Sequence, residues 1–233
     1  SMAGIAEGVE NSNFLLRTNK ANFILTLYEK RVDEADLPYF LGLMNHLSET
    51  GLQCPVPIKD NTGKVLQSCA GRVAAIVSFL DGTSQKFPTV EKCAELGRAL
   101  AHFHLKSSSF SLKRMNSLGP DSWLPLLQSV NGKLADMPEN LEEQAENIIH
   151  QLIAAWPAEL PAGHIHADLF PNNALFVGDK LTGIIDFYFA CSDLFSYDLA
   201  VCLNSWCFDK DGTFNISKSA YLLKAYQTIR PLT

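Results

Sequence analysis

The chain has 233 residues, a formal net charge of −6 at pH 7, 47% hydrophobic and 19% charged residues. This is ordinary globular usage, which excludes a disordered chain, and the acidic balance argues against a protein that coats nucleic acid or an anionic membrane. No apolar run approaches the roughly 20 residues of a membrane span, and the start Ser1-Met2-Ala3-Gly4 has no charged segment followed by an apolar one, so a cytoplasmic protein without a signal peptide is expected. The six cysteines form no C-x-x-C pair and sit among apolar residues, which reads as reduced thiols in place of a disulfide frame.

In chain order, Phe14–Leu16 and Phe23–Tyr28 are strand-like runs separated by the turn residues 19–22. Leu37, Leu41, Met44 and Leu47 recur at 3–4 spacing and predict a helix that stops at Thr50-Gly51. Pro55-Val56-Pro57 forces an extended segment. Val65–Ser68 and Arg72–Leu80 predict a hairpin that bends near Ala70-Gly71. After the break at Asp81-Gly82-Thr83-Ser84 the period becomes helical. Thr89 is positioned to cap a helix whose one face carries Cys93, Leu96, Leu100 and Phe103. A second helix is expected from about Asp121. A third is expected from Glu139 to Trp156, with Leu141, Ala145, Ile148, Leu152 and Ala155 facing inward and Pro157 closing it. Ala174–Val177 and Leu181–Ile185 flank Gly178-Asp179-Lys180 as a hairpin. Helices at about 195–208 and 217–229 follow. The order divides the chain into a β-rich lobe, residues 1–80, and a mostly helical lobe, residues 81–233, of an α+β fold.

The chemistry concentrates in His166-Ala167-Asp168 followed by Asn173, an H-x-D-x₄-N pattern. In kinase catalytic loops an Asp at this place receives the proton of the attacking hydroxyl, and the Asn at the loop's end reaches the metal on the phosphates. His166 and Asp168 are therefore the candidate catalytic residues. Asp186, after the apolar run ending in Ile185 and before Phe187, occupies the second metal-ligand position. One carboxylate and one amide beside two phosphates suit Mg²⁺, a hard cation that keeps water ligands. The bland readings are a turn aspartate at Asp168 and a strand-end carboxylate at Asp186, the latter placed among apolar residues where a charge needs a partner. A zinc site at His164, His166 and Asp168 lacks a fourth ligand nearby. His102 and His104, two apart on a helix, do not share a face and read as core or edge histidines.

With the loop and Ile185-Asp186-Phe187 in place, the chain resembles the aminoglycoside-phosphotransferase and choline-kinase group of small-molecule kinases, which has a two-lobed protein-kinase-like fold. Gly4–Phe14, Ile24–Val32 and Gly163–Phe189 most resemble the branch whose acceptor is the side-chain hydroxyl of L-homoserine. The resemblance implies ATP and Mg²⁺ as cofactors. It implies Asp168 as base and Asn173 and Asp186 as metal ligands. It places the turn of Gly8, Asn11, Ser12 and Asn13 over the phosphates and Ser78, Phe79 and Leu80 beside adenine. It makes Asp198 a brace for the catalytic loop. Asp193, for a substrate ammonium, and Tyr188 are the substrate-side candidates. The strand position that usually bears a phosphate-binding lysine is Thr26, with Lys30 and Arg31 following. No activation segment follows Asp186, which disfavours protein substrates. Choline, methylthioribose or an aminoglycoside remain alternative acceptors, and a pseudokinase that binds nucleotide without turnover is the alternative of a different class. Partners are expected to be the small substrate and ATP, with no nucleic acid or membrane, in a monomer or dimer. The related kinases extend further at both ends, so a truncated chain is expected.

Overall fold

A computed structural model describes residues 1–5, 11–29, 32–130, 140–157 and 159–232. The expected turn residue Gly8, and Lys30 and Arg31, lie outside them. The first strands, β1 (Met2–Ile5), β2 (Ser12–Arg17) and β3 (Asn22–Leu27), pair antiparallel in chain order. Strand β1 gave no signal in the sequence because all four of its residues are exposed, so no alternation marks it. Strands β4 (Gln67–Cys69) and β5 (Arg72–Ser78) complete an antiparallel sheet of order β1-β2-β3-β5-β4. The β4–β5 hairpin turns at Ala70 and Gly71, both at positive φ. It is shorter than its apolar run predicts, since β4 begins at Gln67 and leaves Val65 and Leu66 packed on the core as loop.

Between β3 and β4 lies helix α1 (Leu37–Glu49), which carries a proline in its first turn and buries Leu37, Phe40, Leu43 and Leu47 almost completely. Helix α2 (Val90–Lys106) starts where Thr89 Oγ1 accepts the Lys92 N–H and lays Cys93, Leu96, Leu100 and Phe103 in the core. It packs against the last helix, α6 (Ile216–Gln227), so closely that a Cβ on Gly97 would stand 2.2 Å from the Leu222 carbonyl oxygen. Strand β6 (Ala162–Ile165) pairs with β9 (Cys191–Leu194), and β7 (Ala174–Val177) with β8 (Lys180–Ile184). Helix α5 (Phe195–Trp206) runs directly out of β9.

The segment after β5 and the one after α1 are both stitched to the β7–β8 hairpin. Thr83 and Phe176 exchange backbone N–H···O bonds at 3.0 Å, the Thr182 hydroxyl donates to the Asp81 carbonyl at 2.6 Å, and Ile184 N–H donates to the Gln53 carbonyl at 2.9 Å. Gly183 packs tightly here: a Cβ would meet Leu80 Cδ1 at 2.4 Å, so a larger residue would make that side chain shift.

One expectation fails. Helix α4 (Leu141–Ala155) exists, but its inward stripe does not: Ile148 is 55% and Leu152 46% exposed, Leu141 and Ala155 are exposed, and no residue of the helix is buried. Its neighbour is α3 (Pro120–Ser129), which also buries nothing, and the two meet with Trp123 and Trp156 edge to face at 5.1 Å. Among the described residues no helix is long and apolar enough to cross a membrane.

Candidate active site

Residues 166–173 leave β6 and turn around a single buried carboxylate. Asp198, in the first turn of α5, is fully buried and accepts the His166 N–H at 2.8 Å and the Ala167 N–H at 2.9 Å. Its Oδ2 also takes the Nε2–H of His104 at 3.0 Å. Burial opposes the Asp198 charge, but the His104 hydrogen bond and the two N–H donors outweigh it and hold the carboxyl below its usual range. The brace explains the loop's backbone. Ala167 adopts φ 62°, the left-handed region that costs an L-residue about 1–2 kcal/mol, and the Asp198 carboxylate is what fixes it there. From the far end, the Leu169 carbonyl accepts Trp206 Nε1–H at 2.7 Å.

On this frame Asp168 is half-buried. Asn173 Nδ2 donates to the Asp168 Oδ2 at 2.9 Å and to its backbone carbonyl at 2.7 Å. The amide orientation that makes both bonds turns Asn173 Oδ1 away from Asp168, as an oxygen ligand. Ile185 N–H donates to the Asn173 carbonyl at 2.9 Å, which joins the loop's end to the strand before Asp186. The sequence places Asp186 among apolar residues; the structure turns it out of them. At φ 65° its backbone swings the side chain to an exposed position while Phe187 goes fully inside. A non-glycine residue held in this region is strained, and such strain collects at functional sites. An Asp186 carboxylate and an Asn173 amide oxygen are hard-oxygen donors of the kind that suits Mg²⁺ with phosphate oxygens and water. Among the described residues no three His, Cys, Asp or Glu side chains are grouped to hold a metal, so the His164–His166–Asp168 zinc alternative has no support.

His166, expected among the catalytic residues, is turned into the interior. It is fully buried, its Nε2–H donates to the Ile185 carbonyl at 3.0 Å and its Nδ1 accepts the Asp168 N–H at 3.3 Å. It ties the aspartate's backbone to Ile185, the residue before Asp186, a placement that suits positioning and not proton transfer.

The residues expected at the nucleotide are split between sheet and connector. Asn13 Oδ1 accepts the hydroxyl of buried Thr26 at 2.7 Å across the β2–β3 pair. Ser12 Oγ donates to Glu29 at 2.8 Å, Asn11 Oδ1 accepts the Glu29 N–H at 3.3 Å, and Arg72 pairs with the same Glu29 carboxylate. These side chains pin the start of β2 to β3, and Thr26 stands where a lysine would otherwise reach out. Ser78 is held at the end of β5, where its Oγ accepts the Val56 N–H at 2.9 Å, and Phe79 and Leu80 lead into the connector.

Tyr188 shares a hydrogen bond of 3.1 Å with Tyr28, and burial pushes its phenol up to about 12. Asp193 Oδ2 accepts Asn116 Nδ2–H at 2.7 Å.

Several parts of the site left no mark in the sequence. His104 was legible only as a core or edge histidine; its bonds to Asp198 and, through Nδ1, to the Tyr226 hydroxyl at 2.7 Å span 94 and 122 residues of chain. His164, which the sequence offers only as a zinc-ligand alternative, donates Nε2–H to the Phe110 carbonyl, and its Nδ1 accepts the Tyr39 hydroxyl at 2.9 Å. His104, His164 and His166 are thus three neutral Nε2–H tautomers, and burial depresses the pKa of each.

These features together define a small-molecule kinase site. The family model for the phosphotransferase enzyme family (APH) matches residues 1–232, and the chain belongs to that family. Over all 233 residues it is 53% identical to a homoserine kinase from Rhizobium etli and 53% identical to one from Xanthobacter autotrophicus, and it spans 73% of the length of each. Among solved structures it superposes on amicoumacin kinase hAmiN, in complex with AMP-PNP and Ca²⁺, with a TM-score of 0.76 at 15% identity, covering 100% of this chain and 73% of that one. A microcompartment-associated aminopropanol kinase gives a TM-score of 0.76 at 18% identity, covering 100% of this chain and 77% of that one. The likeness to both confirms the protein-kinase-like α+β fold.

Proposed function

We propose that the chain transfers the γ-phosphoryl group of ATP to the side-chain hydroxyl of L-homoserine, giving O-phospho-L-homoserine and ADP on the way to threonine. The observation that carries this reading is identity above 50% along the whole chain to homoserine kinases; the hydrogen bond that joins Asp168 and Asn173 in the loop supports it. In the reaction a P–O bond forms to the homoserine oxygen, the P–O bond to ADP breaks, and the hydroxyl proton leaves. Asp168 orients the hydroxyl and takes its proton. Asn173 and Asp186 would hold Mg²⁺, which supplies charge neutralisation on the phosphates. The Asn11–Asn13 segment would lie over the phosphates, and Ser78–Leu80 would line the adenine. Asp198 and His166 set the loop. Residues 1–80 act as the nucleotide-binding lobe and 81–233 as the catalytic lobe. A cytoplasmic enzyme with no nucleic-acid partner fits the acidic charge and the free thiols of all six cysteines.

An ADP-release assay with homoserine, choline, methylthioribose and an aminoglycoside tests the substrate. Homoserine is expected to exceed the others in kcat/KM by more than an order of magnitude; parity removes the assignment. Asp168→Asn is expected to lower kcat by about 10²–10⁴-fold while ATP binding persists. Turnover equal to the parent would take the base role from Asp168.

A further inference from the structure

Homoserine is a zwitterion, so the proposed reaction, on which this inference rests, needs a cation for the carboxylate as well as a base for the hydroxyl. The sequence offers no motif for it. In the structure the segment 114–116 runs beside β9, with Ser192 N–H donating to the Arg114 carbonyl at 2.6 Å and Met115 bridging to Ser192. This brings Arg114 against the residues that follow Asp186. Its guanidinium lies 5.0 Å over the ring of Phe40, and that ring meets Tyr188 edge to face at 5.7 Å. Nη1 points to the carbonyl of Ala190, four residues after Asp186, at 3.4 Å.

The donors of Arg114 are unequally used. Nε–H is committed to Asp36 Oδ2 at 2.5 Å, which fixes the plane of the group. Among the described residues, Nη1 and Nη2 make long contacts of 3.4 Å, to the Ala190 carbonyl and the Ser117 hydroxyl, both neutral. A guanidinium has five N–H donors in a rigid fork that matches a carboxylate in bidentate fashion. Two residues along, Asn116 Nδ2–H donates to Asp193 Oδ2 at 2.7 Å, so the segment that carries Arg114 also holds a carboxylate of the neighbouring strand.

We propose that Arg114 is the specificity-determining residue that binds the carboxylate of the acceptor amino acid through its two Nη groups, with Asp36 holding the guanidinium in place. The acceptor class is an amino acid bearing a terminal hydroxyl. The same chain without its carboxylate, 3-aminopropan-1-ol, lacks the group that Arg114 recognises.

The test is the ratio of kcat/KM for L-homoserine to that for 3-aminopropan-1-ol, in the parent, Arg114→Lys and Arg114→Met. Loss of a charge-assisted contact is expected to lower homoserine kcat/KM by about 10- to 100-fold, mainly through KM, with little change for 3-aminopropan-1-ol and for the KM of ATP, so the ratio collapses. Arg114→Lys should recover part of it. If both acceptors fall equally, or the ratio is unchanged, Arg114 only supports the 114–116 segment and the inference is overturned. Should Arg114→Met fail to fold, the Lys variant against the two acceptors gives the same decision. A parent enzyme inactive on homoserine would instead remove the proposed reaction, which separates the two failures.

Discussion

Helices α2 and α4 carry apolar side chains at the same spacing and use them in opposite ways. On α2, Leu96, Leu100 and Phe103 are fully buried; on α4, Ile148 and Leu152 are about half-exposed. The difference follows from what each helix meets. Gly97 lets α2 close onto α6 at backbone contact, and its polar edge continues into the site, because His104 on the same helix reaches Asp198 and through it the backbone of the catalytic loop. Helix α4 meets α3, and Trp156, just beyond its end, reaches Tyr197 of α5 at 6.3 Å between ring centroids. A stripe at helical spacing therefore says which face is apolar, and only the partner decides whether that face carries stability to the loop.

Removing the junction between α2 and the loop is expected to have the largest effect. Asp198→Asn keeps one acceptor oxygen but turns an NH₂ group toward a site with three donors, the His166 N–H, the Ala167 N–H and His104 Nε2–H. Breaking a buried charged network of this kind costs about 3–5 kcal/mol. Urea unfolding should report that loss, and residual activity should fall further than the folded fraction does, since Ala167 loses the contact that holds its left-handed backbone. Stability within 1 kcal/mol of the parent would mean that the brace contributes little.

The parts of this network differ in how far the sequence exposed them. Asp168, Asn173 and Asp186 are legible because they sit in one short pattern whose spacing the chemistry dictates. Strands β2, β3, β7 and β8 are legible because their runs alternate or are bounded by turn residues. Strand β1 is silent, since an exposed edge has no face to mark. The inward stripe expected on α4 fails for the complementary reason: the periodicity is present, but among the described residues its neighbour α3 buries none of it. His104, Tyr226 and Arg114 act across tens of residues, and a single helical histidine or loop arginine carries no sign of the carboxylate it will meet.

The second prediction uses pH on the same junction. The folded pKa values of His104, His164 and His166 lie below the ordinary 6.5 because burial disfavours the charged ring. The unfolded chain thus binds protons that the folded one rejects. The stability from this difference is fully present above pH 6.5 and is lost as pH falls below it, with a slope of up to about 1.36 kcal/mol per pH unit for each histidine. Asp198 acts in the same sense lower down: its folded carboxyl lies below 3.8, so its contribution fades only under that pH. His166 is the sharpest case, since a proton on Nδ1 would face the Asp168 N–H, a donor that cannot rotate away. Unfolding curves at pH 8, 7, 6 and 5.5 should be level at first and then decline. A flat profile down to 5.5 would contradict the neutral assignment of all three rings.

The smallest effect is expected on α4 and decides whether the contrast between the helices is real. Ile148→Gln and Leu152→Gln replace side chains that are 55% and 46% exposed in a helix with no buried residue. Each removes little area from contact, and glutamine is a better helix former than isoleucine and close to leucine, so each substitution should change unfolding free energy by no more than about 0.5 kcal/mol and leave kcat/KM for homoserine at the parent value. The matched change on α2, Leu100→Ala, leaves a cavity in a fully buried site and is expected to cost about 2–5 kcal/mol. If the α4 variants lose more than about 1 kcal/mol, the stripe is covered in solution and α4 joins the core after all; if they lose nothing while Leu100→Ala does, only the face turned toward α6 and Asp198 supports the catalytic loop.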